Sequence, residues 1–255
     1  MDVFGDYAKY YDLLYRDKNY DGEAEFVDGL LRAYAPAART LLELGCGTGA
    51  LAVRLAERGY DVHGVDISDS MLSRGRERAA GLDSSIGHRV QFSQGDLRTV
   101  RIPRVFDAVI STFHVISYQT TAESLAAAFR TAKEHLRPGG VFLFDFWYGP
   151  AVVSSPPDVR VKRLEDQHLA ITRIAEPEVD PDQPVVDVHY DVFIRDKRTG
   201  QIYEVQEVHR MRWLFEDEIA SLLRTHGFDR LHWSEWMTER EPSPETWGVC
   251  CVGRV

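Results

Sequence analysis

Short apolar runs alternate with amphipathic stretches along the first 146 residues of the chain. The apolar runs have the length of strands, and the stretches between them repeat with the period of a helix. This pattern predicts strands over residues 40–44, 61–65, 89–93, 106–111 and 141–146. It predicts helices over residues 21–35, 50–58, 69–80 and 122–136. Because strands that alternate with helices pair in parallel and are buried on both faces, we expect an α/β fold with a covered parallel sheet.

The pattern changes after residue 149. Residues 150–158 are rich in Pro and Ser and predict a connector. Beyond them apolar and polar residues alternate, as in Val186, Val188, Tyr190, Val192 and Ile194. A polar turn containing Gly then leads into a second alternating run, which is typical of a β-hairpin. We therefore expect an antiparallel sheet inserted after the fifth strand, followed by a helix over 215–226 and two strands near 230–236 and 246–254.

Charge and cysteine usage narrow the class of protein. The formal net charge is -10 and no dense basic patch offsets it, which argues against a nucleic-acid partner. Three cysteines without a Cys-x-x-Cys pair indicate neither a disulfide framework nor a structural metal. No apolar run is long enough for a bilayer, and the acidic N-terminus does not resemble a signal peptide. We expect a cytoplasmic protein with no membrane partner and no metal.

A glycine-rich turn joins the first predicted strand to the following helix. It reads Gly-Cys-Gly-Thr-Gly over residues 45–49. Glycine lets a backbone approach a ligand closely, and the helix N-terminus favours negative charge. This turn indicates a nucleotide-like cofactor, and it also fits the loose glycine pattern of NAD enzymes.

Three acidic residues lie at the ends of successive predicted strands. Together they help to distinguish a dinucleotide from other nucleotide-like cofactors. Asp66 can accept hydrogen bonds from both hydroxyls of a ribose, a role that dinucleotide enzymes share. Glu43 would favour a cationic amino group and offers nothing to a pyrophosphate. Asp96 can accept a hydrogen bond from an adenine amino group. Because ligands of open α/β sheets bind at the carboxyl ends of the strands, we expect all three acids to surround one ligand.

The ordered motifs resemble those of the class I S-adenosylmethionine-dependent methyltransferases. They are Leu-Glu-Leu-Gly-Cys-Gly-Thr-Gly (42–49), Gly-Val-Asp-Ile-Ser (64–68), Gly-Asp-Leu (95–97), Phe-Asp-Ala-Val (106–109) and Leu-Arg-Pro-Gly-Gly (136–140). The resemblance implies S-adenosylmethionine as cofactor and in-line methyl transfer. It also implies a Rossmann-like, seven-stranded, mostly parallel sheet whose last strand is antiparallel. By the same resemblance the cofactor-binding residues are Tyr20, Glu43, Gly45, Cys46, Gly47, Gly49, Asp66, Ile67, Met71, Asp96, Leu97 and Thr112.

The N-terminal Tyr-Tyr-Asp-Leu-Leu-Tyr segment (10–15) and the β insertion resemble the amino-sugar N,N-dimethyltransferases and related small-molecule N-methyltransferases. This implies a lid over residues 1–35, which also contains Phe4 and Tyr7. It implies a core over 36–149 and 213–255, with a substrate and dimer subdomain over 150–212. Tyr15 matches an active-site tyrosine of these enzymes. Tyr118 aligns with a histidine that they can carry, which is a departure from their pattern.

Methylation of an amine needs a neutral nitrogen, so a base or a proton path is useful. The candidates are Tyr15, His114 and Tyr118, and His114 has the best-matched ordinary pKa. His114 also fits a histidine that bonds the backbone at a strand end, and Tyr15 a packed lid aromatic. The residues expected to line a substrate pocket are Tyr11, Phe146, Trp147 and Tyr148, of which the last three equally fit core or hinge positions.

Four other functions compete with a small-molecule N-methyltransferase. Transfer to a hydroxyl is the first, since the preference for an amine rests on the narrower resemblance. A methyltransferase for DNA bases or protein glutamine usually carries Asp/Asn-Pro-Pro-Tyr after the fourth strand, where this chain reads Ser-Thr-Phe-His over 111–114. An NAD(P) oxidoreductase disagrees with Glu43 and Asp96, and a non-catalytic scaffold disagrees with the intact glycine turn. We expect a small-molecule substrate and a homodimer formed through the insertion.

Overall fold

The structure is a computed structural model that describes residues 8–255, so Phe4 and Tyr7 lie outside the described residues. Its strands are β1 (Thr40–Leu44), β2 (Asp61–Asp66), β3 (Val90–Gln94), β4 (Phe106–Ser111), β5 (Leu136–Tyr148), β6 (Arg160–Glu165), β7 (Leu169–Val179), β8 (Val185–Asp196), β9 (Ile202–Leu214), β10 (Asp229–Glu235) and β11 (Gly248–Arg254). Its helices are α1 (Ala8–Leu14), α2 (Tyr20–Tyr34), α3 (Ala50–Glu57), α4 (Asp69–Ala80), α5 (Ser84–Gly87), α6 (Ala122–Glu134), α7 (Gly149–Ser154) and α8 (Glu216–Thr225), with a 3₁₀ turn over Val115–Tyr118. Helices follow β1, β2 and β4, as predicted, whereas β3 leads to β4 without a helix.

The central sheet is mostly parallel and has one antiparallel strand. Its order is β3-β2-β1-β4-β5, and β11 continues it by pairing with β5 and β10. The pairs among the first five strands are parallel, whereas β11 runs antiparallel to both of its neighbours. These seven strands confirm the sheet implied by the motif set.

The strands of the sheet centre are apolar because both of their faces are buried. In β4, Val109 packs into a core with Phe142 and Phe144, while Ala108 and Ile110 face a second core on the opposite side of the sheet. All five side chains are fully buried. Such two-sided burial fixes the sheet and holds the carboxyl ends of its strands in place.

Strands β6 to β9 form an antiparallel sheet, which confirms the insertion predicted after the fifth strand. This sheet joins the central one through a short parallel pairing of Trp147 with Trp213 and of Tyr148 with Leu214. Part of its inner face packs against α1, where Leu14 and Ile171 share one apolar cluster. The insertion and α1 therefore cover the carboxyl ends of the central strands.

The prediction of a connector over 150–158 is wrong for residues 150–154, which belong to α7 (Gly149–Ser154). Proline stands at the start of this helix, where its missing N–H costs no hydrogen bond. Ala151 and Val152 of this helix are buried, so packing stabilises a helix that composition alone does not indicate. The predicted cap of α4 is confirmed, since the Ser68 hydroxyl accepts a hydrogen bond from the Met71 N–H.

Within residues 8–255 the structure shows neither a membrane-spanning helix nor a cluster of metal ligands. No helix within residues 8–255 is both long enough and apolar enough to cross a membrane. Within the same residues no group of three or more His, Cys, Asp or Glu side chains is arranged to hold a metal ion.

Candidate functional site

A cavity of about 440 Å³ opens between the carboxyl ends of β1, β2 and β4 and the inner face of the insertion. Most of the residues singled out from the sequence line it. They are Tyr11, Tyr15, Tyr20, Glu43, Gly45, Cys46, Gly47, Asp66, Ile67, Met71, Asp96, Leu97, Thr112, His114, Tyr118 and Trp147. The structure thus brings all the predicted cofactor residues except Gly49, and all three candidate bases, into one cavity.

Three residues of the predicted set lie beside the cavity and do not line it. Gly49 has a φ of +66° at the start of α3, where a Cβ would meet the Phe92 ring at 2.4 Å. Phe146 is fully buried in the core of the sheet. The Tyr148 hydroxyl turns away and donates a hydrogen bond to Glu216 at 3.2 Å.

The glycine turn folds back on the end of β2. Gly45 has a φ of +79°, and a Cβ there would lie 2.5 Å from the Val115 side chain. Its N–H and that of Cys46 donate to the Val65 carbonyl. The Gly47 N–H donates to Asp66 Oδ2 at 2.8 Å. These bonds hold the turn against the strand end and leave its backbone facing the cavity.

Asp66 is held by backbone donors on both carboxylate oxygens. Besides the bond from Gly47, Oδ1 accepts a hydrogen bond from the Ser68 N–H at 2.9 Å. Burial raises the pKa of Asp66 above its ordinary value, and the backbone N–H donors partly oppose that rise. Each oxygen keeps a further lone pair, so a vicinal diol in the cavity could donate to both.

Glu43 is a buried carboxyl group without a counterion in contact. It is 3% exposed, and among the described residues Oε2 has no hydrogen-bond partner. Burial raises its pKa to about 8, although Lys18 lowers it. The Lys18 ammonium instead donates to Glu23 at 2.6 Å and lies over the Phe113 ring. An unpartnered acid in a cavity suits a cationic ligand group.

Arg98, which also lines the cavity, already uses part of the hydrogen-bonding capacity of the Asp96 carboxylate. The Arg98 Nε lies 2.9 Å from both oxygens of Asp96, and the Arg98 backbone N–H donates to Oδ1 at 2.8 Å. These hydrogen bonds hold the pKa of Asp96 below its usual range. An adenine amino group would therefore have to share this acid with Arg98, a competition that the motif did not indicate.

Tyr15 stands between α1 and the insertion. Its ring packs 4.6 Å from that of Tyr11 and edge-on to that of Phe113 at 5.2 Å. Its hydroxyl accepts a hydrogen bond from Arg173 Nη1 at 3.0 Å. Arg173 also lies over the rings of Tyr15 and Tyr190, so one guanidinium fixes two aromatic faces of the site.

His114 lies against a buried acid that the sequence analysis missed. Its backbone has a φ of +61°, a strained conformation for a side chain of this kind. Its N–H donates to Asp145 Oδ1 at 2.9 Å, and its Nδ1 lies 2.9 Å from Oδ2 in a close but poorly aligned contact. Asp145 is fully buried in β5. The acid therefore orients both the backbone and the ring of His114.

Tyr118 begins a chain of polar contacts that leads into the insertion. Its hydroxyl lies 2.6 Å from Nδ1 of His209 in β9. The other ring nitrogen of His209, Nε2, lies 3.0 Å from Glu207 Oε2. The His209 ring also meets the Tyr190 ring edge-on at 4.7 Å. Burial raises the pKa of Tyr118 well above its ordinary value and that of Tyr190 to about 12.

Sequence signals exist for two of the missed residues. Asp145 interrupts the apolar run of β5, and a charged residue in such a strand requires a buried partner. His209 lies in β9 between Val205 and Met211, at positions that share one face. Val188 of β8 pairs with His209, so this face belongs to the alternating apolar set predicted for the hairpin. A histidine on a buried face indicates a polar cluster, but nothing in the sequence identifies Tyr118 as its partner.

Comparisons with known proteins agree with this geometry. Residues 41–140 match the methyltransferase domain family. The chain is 30% identical over 212 residues to dTDP-3-amino-3,6-dideoxy-alpha-D-glucopyranose N,N-dimethyltransferase of Streptomyces fradiae, which is 82% of this chain and 78% of that relative. It is 38% identical over 147 residues to dTDP-3-amino-3,4,6-trideoxy-alpha-D-glucopyranose N,N-dimethyltransferase of Streptomyces venezuelae, and this match spans 57% of the chain and 59% of the relative's length.

A solved structure extends the similarity to the whole fold. S-adenosylmethionine-bound CalS10, an amino pentose methyltransferase of Micromonospora echinaspora, superposes with a TM-score of 0.76 at 25% identity. The superposition covers 99% of this chain and 98% of that one. It includes the β insertion as well as the central sheet.

Proposed function

Since the chain belongs to the S-adenosylmethionine-dependent methyltransferases, we propose that it methylates an amine nitrogen of a small molecule in the cavity beneath the insertion. S-adenosylmethionine is its cofactor and supplies an electrophilic methyl group on a sulfonium. The relatives named above act on amino sugars, and a sugar-linked amine is the acceptor class we propose to test first.

The unpartnered, buried carboxyl of Glu43 is the observation that carries the proposal. It lies in the same cavity as the glycine turn and Asp66. The cationic amino-acid end of a ligand fits Glu43, and its ribose hydroxyls fit the lone pairs left on Asp66. The glycine turn lets the ligand lie close to the backbone. A dinucleotide would instead place a pyrophosphate beside Glu43, and the repulsion would weaken binding. The donor set therefore fits S-adenosylmethionine.

Besides binding the cofactor, the site has to orient the acceptor and exclude water. Tyr11 and Tyr15 close one wall, and the inner face of the insertion closes the other. Alignment of an acceptor lone pair in such a site can lower the barrier by about 7–11 kcal/mol. The aromatic ring of Trp147, which lines the cavity, also suits a cationic nitrogen by cation–π contact.

The assay uses purified full-length protein, S-adenosylmethionine carrying a labelled methyl group and a panel of acceptors. The panel contains nucleotide-linked and free amino sugars, phosphoethanolamine, and matched sugars with a hydroxyl in place of the amine. We expect label in amines and not in the hydroxyl analogues. Label in the hydroxyl compounds alone would replace N-methylation by O-methylation, and no label with cofactor bound would refute the proposal.

We also propose a role for each of three segments of the chain. Residues 1–35 serve as a lid, 36–149 with 213–255 as the cofactor core, and 150–212 as the substrate and dimer subdomain. The Asp12 carboxylate supports the lid role, because it accepts hydrogen bonds from Thr48 and Arg78, both at 2.9 Å. We also propose a homodimer and a cytoplasmic location.

A further inference from the structure

We propose that the proton lost by the acceptor amine leaves through Tyr118 to His209, with Glu207 as the fixed counterion of His209. The inference rests on the proposed amine methylation. It adds two residues of the insertion, His209 and Glu207, to the reaction, and it assigns Tyr118 the role of a proton conductor.

The hydrogen bonds define a direction for the proton. Because a carboxylate oxygen accepts, the 3.0 Å contact with Glu207 favours the His209 tautomer that carries its proton on Nε2. Nδ1 is then an acceptor, and the Tyr118 hydroxyl donates to it at 2.6 Å. Tyr118 lines the cavity, so an N–H of an acceptor bound there can reach its oxygen.

Burial decides which of the two residues stores the proton. It raises the pKa of Tyr118 well above its ordinary value, so the phenol stays protonated and cannot itself act as a resting base. The charged and titratable groups that influence Tyr118 are Tyr190, Tyr15, Glu207 and Asp66. His209 is 3% exposed and has Glu207 on one nitrogen, so an imidazolium formed there is paired and not isolated.

The transfer balances without a further reactant. The ammonium N–H bond breaks as its proton passes to the Tyr118 oxygen, and the Tyr118 O–H proton passes to His209 Nδ1. The products are a neutral amine, a neutral phenol and an imidazolium paired with the Glu207 carboxylate. The amine lone pair is then free to attack the methyl group.

The geometry favours this path over His114. The Asp145 contact occupies Nδ1 of His114 but is poorly aligned, and the His114 ring faces Phe113 and Trp147. Tyr118 lies among Tyr15, Tyr190 and His209, at the insertion side of the cavity.

The test compares His209→Asn, Glu207→Gln and Tyr118→Phe with His63→Asn, a control that removes a buried histidine bonded to Ser93 outside the cavity. Single-turnover rates are measured from pH 6 to 9 with cofactor saturating and with the amine that performs best in the acceptor panel. We expect His209→Asn and Tyr118→Phe to lower the rate about 100-fold at pH 6.5. The loss should shrink toward pH 9, where the amine loses its proton in solution, and cofactor affinity should stay unchanged.

A readout independent of turnover is the protonation pattern of His209 in ¹⁵N NMR spectra. We expect the Nε2–H form in the resting protein and a weaker preference for it in Glu207→Gln. A pH-independent loss in His209→Asn, a loss matched by His63→Asn, or a resting Nδ1–H form would overturn the relay while leaving amine methylation intact. If the wild-type protein methylates no amine, the proposed function and the relay fall together.

Discussion

Binding of the cofactor should release a proton from Glu43. The carboxyl is buried with a pKa of about 8, so about nine-tenths of the protein carries it protonated at pH 7. A cationic amino group placed beside it favours the ionised form and lowers that pKa. Because only the ionised fraction binds strongly, the apparent Kd should fall about tenfold between pH 6 and pH 7. The amino group of the ligand loses its own charge near pH 8, so the effect belongs to the window below pH 7.5.

Calorimetry in two buffers of different ionisation enthalpy measures the released proton directly. For the wild-type protein at pH 7 we expect close to one proton per cofactor. Glu43→Gln should release almost none and should bind with a Kd that is nearly flat from pH 6 to 7. Glu57→Gln, which changes an exposed glutamate of α3, should behave as wild type. Equal proton release from wild type and Glu43→Gln would refute the assignment of Glu43 to the cationic end.

Three further changes test other parts of the site. Asp66→Ala removes the acceptor of the proposed ribose contacts. Because hydrogen bonds to a charged group contribute about 1.5–3 kcal/mol each, cofactor binding measured by calorimetry should weaken at least about 100-fold. An unchanged Kd would show that Asp66 does not bind the cofactor. Tyr15→Phe loses the bond from Arg173 and should lower kcat more than it changes cofactor Kd, whereas a fall in cofactor affinity alone would contradict a substrate-side role. Asp12→Ala breaks the bonds from Thr48 and Arg78 and should speed cofactor release in stopped-flow experiments. Glu25→Ala, which changes an exposed glutamate of α2, is the control in the same segment, and equal release rates in the two variants would argue against the lid.

The sequence predicts the fold, and it predicts that the candidate cofactor residues converge, because both depend on local signals. The strand ends, the glycine turn and Asp66 are fixed by short-range patterns, and parallel strands bring their carboxyl ends together. The helix over 149–154 escapes prediction because its stability comes from packing of Ala151 and Val152.

The substrate half depends on contacts between distant parts of the chain. Tyr118 and His209 are 91 positions apart, and Tyr15 and Arg173 are 158 apart. Alternation shows which side chains of the insertion face inward, but not how the insertion docks over the sheet. The pairing of Arg98 with Asp96 is local, yet a motif match gives no sign that a neighbour competes for the acid.

A crystal structure with S-adenosylhomocysteine and an amine acceptor tests the central claim most directly. We expect the amino-acid amino group of S-adenosylhomocysteine within hydrogen-bond distance of Glu43 and the ribose hydroxyls on Asp66. The acceptor nitrogen should lie between the sulfur and the Tyr118 hydroxyl. A nucleoside seated away from Glu43 and Asp66, or an acceptor bound outside the cavity beneath the insertion, would contradict the proposed reaction site.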